Sequence, residues 1–194
     1  MDCSIYTGTN NFMDVKFKSS LKKGHLTNLL LIVAGVVFLA LMAQVAIELP
    51  FSPVPITGQT LGVLIIGSLY GARRATMTTL SYLVVGAVGM PVFSAGSFGL
   101  AKILGPTGGY LIGFVIAAAV MGIFAQHKKD RNLWHALVSF AIGHTLVFAC
   151  GLTWLSFYVG VDKTFQLGLF PFIPGMIVKT VLAAGVTSTI WQKS

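Results

Sequence analysis

Long apolar runs separated by short polar or Gly/Pro-rich breaks dominate the chain, and their lengths predict membrane helices. The first run covers residues 26–49 and exceeds the ~20 residues needed to cross a hydrocarbon core. It stops at Pro50, and Pro53 and Pro55 predict an extended stretch behind it. The next two runs, 61–70 and 75–88, are short and flank the basic turn Gly71-Ala72-Arg73-Arg74. They fit a re-entrant pair or, preferably, two helices that borrow residues from their loops. Further runs cover 108–125, 133–159 and 172–191, the last opening around Pro171 and Pro174, residues suited to a first helical turn. The pattern predicts an all-α integral membrane protein with six transmembrane helices in residues 26–194, preceded by a polar tail over residues 1–25.

One region breaks the pattern. Gly89-Met90-Pro91-Val92-Phe93-Ser94-Ala95-Gly96-Ser97-Phe98-Gly99 and then Gly105-Pro106-Thr107-Gly108-Gly109-Tyr110 are irregular backbone between apolar runs. Such backbone is tolerated at membrane depth only where protein buries it or where it lines a cavity. It is the first place to expect a ligand.

Composition agrees with a membrane location. Of 194 residues, 55% are hydrophobic and 9% charged, against roughly 25% charged in a soluble domain. The formal net charge of +8 does not point to nucleic acid, because the basic residues fall into separate clusters beside the apolar runs. With the N-terminus inside, ten Lys and Arg lie in cytoplasmic segments (16–23, 73–74, 128–131 and 193) and two, Lys102 and Lys163, lie opposite. This asymmetry predicts both termini in the cytoplasm. It also gathers the 50–59, 91–106 and 160–170 segments on the outer side, and long loops in so economical a chain suggest an outward ligand pocket. Residues 1–25 lack a short apolar core with a small-residue cleavage site, so no cleaved signal peptide is expected.

Few residues carry chemistry. Lys179 lies among Ile177, Val178, Val181 and Leu182, where a charge costs about 2.5–3.5 kcal/mol on insertion scales. It either meets a ligand or partner in a cavity, or snorkels to the nearby interface. Asp162 and Lys163 precede the last span, either as a charged lid or as ordinary solvated loop. Glu48 reads as an interfacial charge, and Lys102 as a solvent-exposed residue able to attract an anion. No phosphate-loop motif occurs, so the chain is not expected to hydrolyse ATP. His144 with Ser139 or Ser156 lacks a nucleophile motif and an orienting acid, so an enzyme is not expected and His144 reads as a packing or interhelical hydrogen-bonding residue. Cys3 and Cys150 define neither a disulfide framework nor a metal site, and no cofactor is implied. Gly58/Gly62, Gly67/Gly71 and Gly105/Gly109/Gly113 are small-xxx-small spacings that let helices approach closely. Ala40, Ala43 and Ala46 form a small-residue stripe suited to internal packing or to docking another membrane protein.

Four ordered motifs now carry a resemblance. Pro53-Val54-Pro55-Ile56-Thr57-Gly58-Gln59-Thr60, Gly89-Met90-Pro91-Val92-Phe93, Gly105-Pro106-Thr107-Gly108-Gly109-Tyr110 and Pro171-Phe172-Ile173-Pro174-Gly175 resemble the BioY family, over about residues 26–191. These are biotin-binding substrate-specificity (S) subunits of energy-coupling-factor (ECF) transporters. The resemblance implies a six-helix S-component fold in a bacterial cytoplasmic membrane, with biotin captured from outside. Its implied partners are biotin, a transmembrane coupling subunit that the alanine stripe would meet, two cytoplasmic ATPases and membrane lipid. Two alternatives stay open: an S component for another small vitamin or precursor, and a biotin transporter acting without dedicated ATPase partners.

The family pattern follows the last Pro-Gly with an Asp and, three residues on, a Lys. Here Met176 occupies the first position and Lys179 the second; some members carry an Arg after Gly-Gly-Tyr, where this chain has Leu111. Biotin needs apolar walls, partners for its ureido group and a cap for its carboxylate. Under the resemblance, Phe93, Phe98, Tyr110 and Phe172 are expected as walls, and Gln59, Ser94, Ser97 and Thr107 as hydrogen-bonding groups. Lys179, with Lys163 as second choice, is expected at the carboxylate, and Asp162 as a substitute acceptor if its loop folds over the pocket.

Overall fold

A computed structural model describes residues 25–126 and 133–192. The basic clusters at 16–23 and 128–131, Cys3, Lys193 and nearly all of the polar tail therefore lie outside the described residues. Helix α1 (His25–Gln44) is followed by a hairpin of β1 (Ala46–Leu49) and β2 (Ser52–Thr57). Then come α2 (Gln59–Tyr70), α3 (Ala72–Ala87), a 3-10 turn (Ser94–Gly96), the short α4 (Leu100–Leu104), α5 (Gly108–Gln126) and α6 (Leu133–Val159). The chain ends with α7 (Val161–Gly168), a second 3-10 turn (Phe170–Phe172) and α8 (Ile173–Gln192).

The first helix is shorter than its apolar run predicts. Pro50 drives Leu49 out of helical backbone, and Pro53 and Pro55 hold β2 extended. The extended segment folds back on residues 46–49 in antiparallel register, with Ala46 opposite Thr57, Ile47 opposite Ile56 and a shift before Leu49 opposite Ser52. With two strands both are edges, so the prolines cost little pairing. Ala46 consequently leaves the helix, and Ala43 is fully buried, so the alanine stripe is largely spent on internal packing.

The two short apolar runs form two helices, of 12 and 16 residues, joined by Gly71 alone. Gly71 has φ 76° and ψ 164°, a region essentially reserved for glycine. Gly99 and Gly160 repeat this backbone immediately before α4 and α7. Each lets the chain reverse sharply into a new helix. Helices α5 and α6 approach closely: a Cβ built on Gly113 would stand 2.9 Å from Val147 Cα, and one on Gly109 would stand 2.5 Å from Cys150 O. The predicted small-residue packing is thus used at this contact.

The 160–170 segment, expected as a loop, is mostly the helix α7. Thr164 Oγ1 donates to Gly160 O at 2.7 Å, Asp162 sits in the favourable first turn, and Thr164 and Gly168 turn their buried face inward. Ser52 Oγ donates to Leu167 O at 2.7 Å and ties α7 to the hairpin.

Among the described residues, four stretches are long and apolar enough to cross a membrane: Leu26–Gln44, Gly108–Gln126, Leu133–Val159 and Val161–Ile190. The apolar helix Gln59–Tyr70 is shorter. Leu29, Leu30, Val33, Val37 and Leu41 on α1 are each more than half exposed, a continuous apolar face of the kind that lipid covers.

Candidate ligand-binding site

The buried residues form two clusters, and one end of the bundle holds a cavity. Two of the three segments that the charge pattern groups together, 50–59 and 91–106, supply lining here, whereas residues 160–170 supply none. Val54, Pro55 and Thr57 come from β2, Phe93, Ser94, Lys102 and Thr107 from the irregular 89–107 region, and Phe172 from the turn before α8. Helices α5, α6 and α8 close the sides with Tyr110, Leu111, Phe114, His144, Val147, Phe148, Met176 and Lys179.

Aromatic rings build the walls. Tyr110, Phe148 and Phe172 pack mutually with centroids 6.0–6.4 Å apart, and Tyr110 OH donates to Gly168 O at 2.9 Å. Across the cavity, Phe93 meets Tyr82 edge-on at 5.4 Å. Phe93 fits there because Gly86 offers no side chain; a Cβ at Gly86 would collide with its ring. This is what the irregular backbone accomplishes: it carries an aromatic wall back across the top of α3.

The polar floor is braced from within. Thr57 Oγ1 donates to Gln59 Oε1 at 3.0 Å, Gln59 Nε2 donates to Tyr82 OH at 2.5 Å, and Tyr82 OH donates to Val92 O at 2.8 Å. Gln59 lines the cavity as expected, but its amide is engaged at both atoms by the protein. Thr107 Oγ1 donates to Lys102 O at 3.2 Å. Trp154 Nε1 donates to Gly105 O at 3.0 Å, and Tyr158 OH donates to Leu104 O, which pins α4 against α6.

Lys179 is turned inward. Its Nζ donates to Thr57 O at 2.6 Å and to Thr60 Oγ1 at 3.1 Å. These are neutral acceptors, and among the described residues no carboxylate lines the cavity. A desolvated cation without a counter-charge is costly, so the arrangement favours an incoming anion. An ammonium has three donors, and these two bonds leave one for a ligand.

The other expected residues divide clearly. Phe93, Tyr110, Phe172, Gln59, Ser94 and Thr107 line the cavity with Lys179. Ser97 does not; its hydroxyl donates to Ser94 O at 2.7 Å and locks the turn. Phe98 is 59% exposed. Asp162 and Lys163 are exposed on α7 and do not line the cavity, so neither the substitute acceptor nor the second-choice cation is brought to it. The helical fold of α7 points them outward because its buried face is taken by Thr164 and Gly168. Conversely, Lys102, expected to be solvent-exposed, is on the lining, and so are Thr57, Thr60 and His144, which no local sequence signal marks as ligand contacts. His144 does make the expected interhelical contact, its Nδ1 lying 3.2 Å from Thr180 Oγ1.

Known proteins share this chain's sequence and architecture. A biotin transporter BioY from Thermotoga maritima is 36% identical over 155 residues, covering 79% of this chain and 90% of the relative. A probable biotin transporter BioY from Rickettsia prowazekii is 32% identical over 166 residues, covering 86% of this chain and 84% of the relative. The crystal structure of the S-component for biotin from an ECF-type ABC transporter superposes with a TM-score of 0.79 at 25% identity, covering 90% of this chain and 96% of that one. These relatives are transporters rather than enzymes, and with the apolar stretches described above the chain is a multi-pass membrane protein. The BioY family profile matches residues 13–194, and the chain belongs to the BioY family.

Proposed function

We propose that this protein binds biotin from outside a bacterial cytoplasmic membrane and serves as the S subunit of an ECF-type transporter. The observation that carries the reading is the cavity itself: aromatic walls that suit a fused ring and alkyl chain, and an inward ammonium at Lys179 bonded only to neutral oxygens. A carboxylate-bearing ring ligand satisfies both at once. The names of the relatives and the S-component likeness select biotin among such ligands.

In this reading six helices, α1, α2, α3, α5, α6 and α8, cross the bilayer with both termini in the cytoplasm, and the cavity end faces outward. The Lys/Arg asymmetry supports that orientation. The short α2 and α3 reach across by using the hairpin and the Gly71 turn as extensions. Biotin capture precedes delivery to the inside, driven by a transmembrane coupling subunit and ATPases on other chains.

The test is a biotin titration on the purified full chain in detergent, read by calorimetry and by thermal stabilisation, alongside a panel of other ring-bearing vitamins. Saturable binding with preference for biotin is expected. No heat and no thermal shift at saturating biotin would sink the ligand assignment, and binding of another vitamin instead would make that compound the substrate.

A further inference from the structure

We infer that His144 binds ligand directly, its Nε2 accepting a hydrogen bond from an N–H of the bound molecule. Resting on the biotin reading above, that group is one N–H of the ureido ring.

Helix α6 presents His144, Val147 and Phe148 to the cavity, and His144 is 2% exposed. Its Nδ1 lies 3.1 Å from Phe140 O and 3.2 Å from Thr180 Oγ1. A carbonyl only accepts, so this geometry assigns the ring hydrogen to Nδ1. In the neutral ring Nε2 then carries a bare lone pair. A charged ring is disfavoured, because the lining already holds Lys102 and Lys179 and no carboxylate among the described residues. Nε2 itself is buried and has no hydrogen-bond partner among the described residues. Buried polar atoms are overwhelmingly paired in native proteins, and an orphan at a cavity wall calls for an explanation.

The rest of the lining sharpens the assignment. The Thr57, Thr107 and Tyr110 hydroxyls each donate their one hydrogen to the protein, and Gln59 Oε1 and Nε2 each have a protein partner, whereas His144 Nε2 has none among the described residues. The hydroxyls of Ser94 and Thr60 can donate or accept, whereas Nε2 only accepts. Two cations ask for an anion, and one bare acceptor asks for a donor. A ligand with a carboxylate at one end and a ring N–H at the other meets both. Met176, one turn before Thr180 on α8, leaves that region of the wall apolar, so His144 is the acceptor the fold brings there.

Two substitutions separate this role from simple helix bracing. His144→Asn keeps a donor near Nδ1 and removes the acceptor at Nε2, while His144→Gln keeps an acceptor near Nε2 and removes the brace. Calorimetric titration of biotin is expected to show His144→Asn weakened roughly 5- to 150-fold, the range for stranding a buried hydrogen-bonding group, with His144→Gln closer to the parent protein. On the ligand side, biotin analogues with one ureido N–H replaced by O (a carbamate) or CH2 (a lactam) are titrated against the parent chain, each nitrogen in turn. One analogue position is expected to lose a similar factor in the parent protein and little further in His144→Asn. The inference is overturned if His144→Asn binds biotin within twofold of the parent, if His144→Gln is the weaker variant, or if no analogue position weakens binding to the parent. Should both variants fail to fold, the analogue series on the parent chain decides alone. If the parent protein binds no biotin, the functional reading falls and this inference with it; parent binding without a His144 effect overturns only the inference.

Discussion

Replacing Lys179 by Met keeps the length and apolar stem of the side chain while deleting its charge. In the folded protein the ammonium is held by Thr57 O at 2.6 Å and Thr60 Oγ1 at 3.1 Å, which aims its remaining donor at the cavity. A hydrogen bond to a charged group is worth about 1.5–3 kcal/mol. The Coulomb attraction of two unit charges 4 Å apart is about 4 kcal/mol at an effective dielectric of 20, and desolvating the ligand carboxylate offsets part of it. A net loss of about 2–3 kcal/mol follows, or roughly 30- to 150-fold in Kd.

The assay pairs biotin with biotinamide, which keeps the rings and chain but carries no charge. Lys179→Met is expected to weaken the free acid by that factor while leaving the amide within about threefold, because the amide has no charge to lose. Thermal stability without ligand is expected to hold or rise, since the desolvation cost of the cation disappears along with its two hydrogen bonds. Equal losses for acid and amide would indicate general damage to the cavity and refute the charge argument. So would an unchanged affinity for the acid.

Three further outcomes follow from named contacts. Tyr82→Phe strands the Gln59 amide and the Val92 carbonyl and loosens the support beneath Phe93, so a stability loss of about 1–3 kcal/mol with weaker biotin binding is expected in thermal unfolding and titration. Gly71→Ala forces a Cβ into glycine-only backbone at the α2–α3 turn, and a loss of about 1–3 kcal/mol in thermal unfolding is expected, with biotin affinity preserved in the folded fraction because the turn lies at the end away from the cavity. Met176→Asp adds a carboxylate one turn before Lys179 on the lining, and titration is expected to show biotin affinity held or raised; abolished binding would argue against a polar ligand group at that wall.

The helices are legible because their signal is local: apolar runs ended by Gly, Pro and charge place α5 and α6 within a residue of their observed bounds. What escapes that signal depends on partners far along the chain. Residues 46–49 continue an apolar run, and only the proline-stiffened strand folding back on them makes them β. Residues 161–168 are short and mixed, and they become a helix whose buried side rests on the aromatic wall through Gly168 and Tyr110. Site residues divide the same way. Lys179 is conspicuous because a charge is out of place in its run. Thr57, Lys102 and His144 are ordinary in theirs, and they matter because the hairpin, the five-residue α4 and the α6–α8 contact bring them to one cavity.

Asp162 errs in the opposite direction for the same reason. Its sequence position beside the last span made it a natural acceptor, but a helix must commit one face to the core, and α7 commits Thr164 and Gly168. Once that face is taken, Asp162 points outward, and among the described residues the cavity is left with cations and no carboxylate. The demand for an acceptor then passes to a residue whose lone pair no sequence pattern reveals, since it exists only because Phe140 O fixes the hydrogen on the other nitrogen of the His144 ring.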